Sequence, residues 1–276
     1  PQYGVRLATL FGLNAGLNEA AKLACHMPRP YWVSAAVTGF SAHSSFGFPS
    51  GAAMSGAVMY GYIALQVRRY PVVIICCILF LASSMVRIFC GIHFLLDILG
   101  GWILGFLLLA VFLLAAPKAE EYAGRLSRPA RLTLFVFVSA IPILLVVPAY
   151  VSLGGWQVPA PWIEQALQQT GAVIHPDRIQ YAWGAAGIIF GSLFGYELLQ
   201  SRGGWSPPAD LKQRAGVVVA GTLSVLLVNA AIPGVWVYLG IAALSPQFAV
   251  FLSMAGVTFW LMAGVPSLAT KAGFTK

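Results

Sequence analysis

Charge is what this chain has least of. Lys, Arg, Asp and Glu together make up 9% of its 276 residues, where a soluble globular domain carries about 25%. That shortage, with 59% hydrophobic residues, excludes an ordinary water-soluble domain. Cysteine is also sparse. Cys25, Cys76, Cys77 and Cys90 form no C-x-x-C pair, and three of them lie in or beside apolar runs. This pattern excludes a disulfide framework and a zinc site. There is no internal repeat and no nucleotide- or sugar-specific motif. The chain begins at Pro1 rather than Met, so no signal peptide can be read.

What is present is apolar and periodic. A membrane span needs roughly 20 mostly apolar residues, and eight stretches qualify: 4–23, 51–67, 71–90, 93–115, 132–150, 180–200, 215–233 and 247–264. The expected fold is therefore an all-α, multispanning transmembrane helix bundle of about eight spans. Residues 234–246 read as a re-entrant piece or as an extension of a neighbouring span. The polar stretch 116–131 reads as a cytoplasmic linker. It divides residues 1–115, which hold the unusual polar residues, from additional transmembrane helices at 132–276. These include an outer loop at 152–178 with an amphipathic helix at about 160–170. Trp156 and Trp162 in that loop read as interfacial anchors, and Glu197 as facing water or Arg202.

The net charge of +8 does not imply nucleic acid, because no solvated basic face is available for it. With residue 1 in the cytoplasm, twelve Lys and Arg residues fall inside and four outside. Cytoplasmic loops carry the Lys/Arg excess, so both termini are expected inside. The four exceptions are Lys22, Arg29, Arg87 and Arg178. Three of them converge near the turn Pro49-Ser50-Gly51 at one membrane level.

Fixed cations in membrane helices are costly and usually mark function. A helix that begins Ser-Gly offers free backbone N–H groups to an anion, and arginine's planar fork suits phosphate. His93 and Asp97 are spaced i, i+4 on one helical face. The carboxylate can accept from one imidazole nitrogen and leave the other as a nucleophile. Asp97 is the only acidic residue between positions 51 and 115. Taken singly, Lys22 or Arg29 could be a snorkelling helix-end cation, and His93 a satisfied cap. His26, His43 and His175 read as loop residues, although His43 stands near enough in the outer loop to be considered as a proton donor.

Lys22-x6-Arg29-Pro30, Pro49-Ser50-Gly51 and Arg87-x5-His93-x3-Asp97 together resemble the three-part signature of the type 2 phosphatidic acid phosphatase superfamily, over roughly residues 4–115. The resemblance implies a metal-independent, cofactor-free lipid phosphatase. Lys22, Arg29, Ser50, Gly51 and Arg87 would hold the phosphoryl group of a lipid phosphate substrate among membrane lipids. His93, oriented by Asp97, would form a phosphohistidine on the periplasmic or lumenal side. The stretch Ala53-Met54-Ser55-Gly56 with Gly91-Ile92-His93 is most similar to sphingosine-phosphate phosphatases.

Three departures from the family pattern stand out. Val86 occupies the position of a usual serine. The family usually places two spans before the lysine-bearing helix and here only that helix remains, so either an upstream part is missing or this branch lacks it. The third is Ala52, where the family has the histidine that protonates the leaving alkoxide. General-acid help is worth about 10²–10⁴-fold, so the chain is expected to be catalytically impaired. An alanine between matching elements reads most simply as a His-to-Ala change, against natural loss of the acid. Two rival functions follow, a non-catalytic lipid-phosphate binder or transporter and a lipid phosphotransferase.

Overall fold

The computed structural model describes residues 2–274, and among these every regular element is a helix. In chain order they are α1 (Gln2–Cys25), α2 (Pro30–Val33), α3 (Gly51–Val67), α4 (Tyr70–Phe89), α5 (Leu95–Arg125) and α6 (Arg128–Ser152). Then come α7 (Ala160–Thr170), α8 (Gln180–Ser201), α9 (Leu211–Tyr238), α10 (Ile241–Leu244), α11 (Pro246–Phe259) and α12 (Val265–Lys271). A π turn, Trp260–Gly264, joins the last two without a break.

Six of the described helical stretches are long and apolar enough to cross a membrane: α4, α5, α6, α8, α9 and the continuous run Pro246–Lys271. The chain is a multi-pass membrane protein. The other two expected spans exist as helices but differ in character. The α3 helix has 17 residues, and α1 is interrupted on one side by Asn14, Asn18, Glu19 and Lys22, all buried. Their polarity is directed inward, as it must be in a lipid setting.

Two sequence expectations change. Residues 116–125 complete α5, which passes through Pro117, and α6 starts at Arg128. The polar stretch is thus helix apart from a short joint. Residues 234–246 divide between the end of α9, a glycine turn at Gly240 and the short α10.

Contacts divide the chain into two compact units. One comprises 2–13, 120–142 and 182–274 of the described residues; the other comprises 14–119 and 143–181. In the first, α8 presents Gly187, Gly191 and Gly195 to α11. A Cβ at Gly191 would lie 2.1 Å from the Ala255 carbonyl oxygen, so the helices approach as only small residues permit. Glu197 does not face water or Arg202. It is buried against Arg131, whose Nε and Nη2 donate to it at 2.9 and 2.6 Å. Arg6 on α1 makes a similar two-point contact with Glu120 at 2.6 and 2.5 Å.

In the second unit, α5 uses the same device. A Cβ at Gly101 or Gly105 would fall 2.7 Å from the carbonyl oxygens of Ser50 and Met54. This close approach sets the N-terminus of α3 against the start of α5. The amphipathic α7 forms as expected and packs on α2. Trp156 and Trp162 turn inward, Trp156 against His26 and Phe46 at 5.0 and 5.6 Å, and Trp162 against Trp32 at 6.3 Å. They cover the loop that holds the polar centre rather than standing only as interfacial anchors.

Candidate active site

The second unit holds a half-open cavity of about 270 Å³. Lys22, Arg29, Arg87 and Arg178 line it, with Glu19 as the carboxylate among its lining residues. Gly51, Ala52, His43 and His93 share the same wall space. The structure thus brings together residues as far apart in sequence as Glu19 and Arg178.

The N-terminus of α3 is built from Ser50 outward. Its hydroxyl accepts from Ala53 N at 3.5 Å, its carbonyl accepts from Met54 N at 3.0 Å, and its own N–H donates to the Asp97 carbonyl at 2.9 Å. That leaves the Gly51 and Ala52 N–H groups without an intrahelical acceptor, as at any helix start. Pro49 is preceded by a cis peptide bond, and its carbonyl accepts from Asn18 Nδ2 at 3.2 Å. Ser50 itself is fully buried. It therefore shapes the cradle, while Gly51 and Ala52 line it.

His93 and Asp97 meet as their spacing suggests. His93 Nδ1 lies 3.1 Å from Asp97 Oδ2, which also accepts from Phe94 N at 2.9 Å. On the other side of the ring, Arg29 Nη1 lies 3.2 Å from His93 Nε2. A carboxylate only accepts and a guanidinium only donates. The pair therefore fixes the tautomer, with the proton on Nδ1 and the lone pair on Nε2.

Arg29 is more deeply committed than its sequence position suggests. Nε donates to the Ser45 carbonyl at 2.7 Å, and Nη1 to the Ile92 carbonyl at 3.0 Å as well as to His93. Nη2 donates to Ser45 Oγ at 3.1 Å and to the Phe46 carbonyl at 3.2 Å. All five N–H groups are engaged. Burial pulls its pKa down to about 10, with the neighbouring Arg87 acting in the same direction and Tyr31, Asp97 and Tyr181 opposing. Lys22 Nζ donates to the carbonyls of Phe46 and Gly47. Arg87 is different, for its Nε is buried and has no hydrogen-bond partner.

Sequence reasoning missed the segment that ties these cations together. Residues 45–47 supply the carbonyls for Lys22 and Arg29, and Gly47 N donates to the Met27 carbonyl at 2.9 Å. A Cβ on Gly47 would stand 2.6 Å from the Pro28 carbonyl oxygen and 3.2 Å from Asp97 Oδ2. Only glycine fits. A Gly-aromatic alternation just before the Pro-Ser-Gly turn was the available signal, but it names no partner. Asn14 and Ser55, joined at 2.9 Å, and Pro176 and Tyr181 also line the cavity and carried no sequence cue. No group of His, Cys, Asp and Glu among the described residues could hold a metal ion.

A multi-pass helical membrane protein with a half-open, cation-rich cavity and an oriented imidazole is the class that fold and site define. The comparisons with known proteins narrow it. The model of the PAP2 superfamily matches residues 3–121, somewhat under half of the chain, and that stretch is similar to the superfamily. Phosphatidylglycerophosphatase B of Bacillus subtilis (strain 168) is 32% identical over 114 residues, covering 38% of this chain and 54% of that protein. The chain thus spans about half the length of this relative. No solved structure gives a significant match.

Proposed function

We propose that the protein is a membrane lipid phosphatase that hydrolyses a phosphate monoester through His93, with its site on the non-cytoplasmic side. The observation that carries this reading is the fixed Nε2 lone pair of His93 in a cavity lined by four cations. The match of residues 3–121 to the superfamily model and the likeness to a phosphatidylglycerophosphatase support it. The excess of twelve cations over four, counted with residue 1 inside, supports an outward-facing cavity.

The phosphoryl oxygens are held by Arg87, by the third N–H of Lys22 and by the Gly51 and Ala52 N–H groups at the positive end of α3. Nε2 of His93 attacks phosphorus, the P–O bond to the lipid alcohol breaks, and a phosphohistidine forms. Asp97 stabilises the positive charge that grows on the ring. Water then attacks phosphorus, the P–N bond breaks, and the electron pair returns to Nε2. The departing alkoxide needs a proton, and the Ala52 methyl supplies none. Turnover of alkyl esters is therefore impaired relative to a chain with histidine at position 52.

The test is phosphate release from sphingoid, polyprenyl, phosphatidyl and lipid A-type phosphates by this chain, by A52H and by A52H/H93A. Turnover that rises in A52H and vanishes in the double variant is the expected result. Ala52 also favours a second reading, a non-catalytic lipid-phosphate binder. Retained binding with no phosphate release from any of these, even in A52H, would establish that reading instead. Transfer to an added lipid alcohol without free phosphate would identify a transferase.

A further inference from the structure

We propose that His43, on the loop before the Pro-Ser-Gly turn, serves as the proton donor to the leaving alcohol in this chain and carries the alkyl-ester turnover that remains without a histidine at position 52. The proposal rests on the phosphatase reading above. Its ground is the way this loop is held. His43 lines the same cavity as Ala52 and His93. Its backbone is clamped on both sides by one fully buried hydroxyl, since His43 N donates to Tyr31 Oη at 2.9 Å and Tyr31 Oη donates to the His43 carbonyl at 3.1 Å. The next residues complete the anchoring. Ser44 Oγ accepts from His175 N at 2.6 Å, Ser45 accepts twice from Arg29, and Phe46 and Gly47 accept from Lys22. An exposed loop histidine has no need of such fixing. The imidazole is half-buried, and Ser41 Oγ engages its Nε2 at 2.8 Å, leaving Nδ1 for the reacting group.

The charged and titratable groups facing this cavity are Glu19 and Lys22 on α1, Arg29, Arg87 on α4, His93, Arg178 and Tyr181. Burial first, then Arg29, Arg87 and Lys22, lower the His43 pKa to about 4, so the empty site holds it neutral at pH 7. A phosphate monoester arriving as its monoanion brings both the proton and the negative charge that offsets those cations. The proton passes to His43. As Nε2 of His93 attacks and the P–O bond breaks, the leaving oxygen takes that proton and departs as the alcohol. In the second half, water gives one proton to His43 as its oxygen bonds to phosphorus and the P–N bond breaks. The phosphate takes that proton from His43 and leaves as its monoanion, returning His43 to the neutral form.

The experiment compares a long-chain alkyl phosphate with p-nitrophenyl phosphate, whose leaving group departs without protonation. Both are assayed in detergent micelles with this chain, H43Q, H93A and H43Q/A52H. The expected result is a fall in the ratio of alkyl to aryl turnover in H43Q by about 10²–10⁴-fold, recovered in H43Q/A52H. Alkyl kcat/KM of the unmodified chain rises as pH falls from 7 toward 5, and this limb flattens in H43Q. Equal loss of both esters in H43Q, no loss of either, or aryl turnover without alkyl turnover in the unmodified chain would each overturn the role of His43 while leaving His93 chemistry intact. Absence of any His93-dependent phosphate release from either ester would overturn the phosphatase reading itself, and the proton donor with it.

Discussion

The two compact units handle their cations in opposite ways. In the unit formed by 2–13, 120–142 and 182–274, buried or half-buried arginines meet carboxylates. Arg6 forks onto Glu120, and Arg131 onto Glu197 with Arg128 a further 3.7 Å contact. Charge is balanced within the protein. In the unit formed by 14–119 and 143–181, Lys22 and Arg29 are held by backbone carbonyls, which satisfy hydrogen bonds but cancel no full charge. Arg87 and Arg178 add to the excess. Both units use glycines to bring helices close, at Gly191 against α11 and at Gly101 against α3. The difference therefore lies in whether an anion is built in or left to be supplied. A cluster of like charges around a cavity is tolerable where an incoming anion completes it.

That contrast can be broken or sharpened by mutation. The largest effect is expected at the nucleophile, where H93A should lower phosphate release by about 10⁴-fold or more, measured in the A52H background to give dynamic range. Next is A52H in the H43Q background, expected to raise alkyl-ester turnover by about 10²–10⁴-fold; an unchanged rate would mean that leaving-group protonation is not limiting. R87Q should weaken orthovanadate inhibition of aryl-ester turnover by about 10–150-fold, since a charged hydrogen bond is worth roughly 1.5–3 kcal/mol. Little change would show that Arg87 is not a phosphoryl ligand. R131Q should instead lower thermal stability in detergent by about 1–2 kcal/mol without altering vanadate affinity. The smallest effect is expected for R6Q, within about 1 kcal/mol, because Glu120 is 39% exposed. Reversal of the last two against R87Q, with affinity lost and stability kept, would erase the distinction between the units.

The helices were legible because long apolar runs bounded by Arg and Pro leave little choice. The i, i+4 spacing likewise made the His93–Asp97 contact legible, and the three motifs showed which helix ends to group. What could not be read was carried by the backbone. The Phe46 and Gly47 carbonyls that hold Lys22 have no side-chain signature, nor does the Ser50 N–H on the Asp97 carbonyl. Glu197 was misplaced because a one-dimensional scan finds Arg202 five positions away and overlooks Arg131, 66 positions away. The ring contacts of Trp156 with His26 and Phe46, and of Trp162 with Trp32, were out of reach for the same reason. Aromatic residues near an interface fit lipid and protein partners equally well until the chain that folds beneath them is known.

Arg29 has one more consequence. With Nη1 donating to His93 Nε2, the nucleophile's lone pair is engaged by the guanidinium. A tetrahedral anion seated beside the ring gives the guanidinium a stronger acceptor to turn toward, and the nitrogen is released as it does so. Reactivity is thereby tied to occupancy. An acylating reagent such as diethyl pyrocarbonate should modify His93 slowly in the resting protein and faster in R29K, whose single ammonium cannot span the same five acceptors. The guanidinium is then a safety catch, and the substrate is what lifts it.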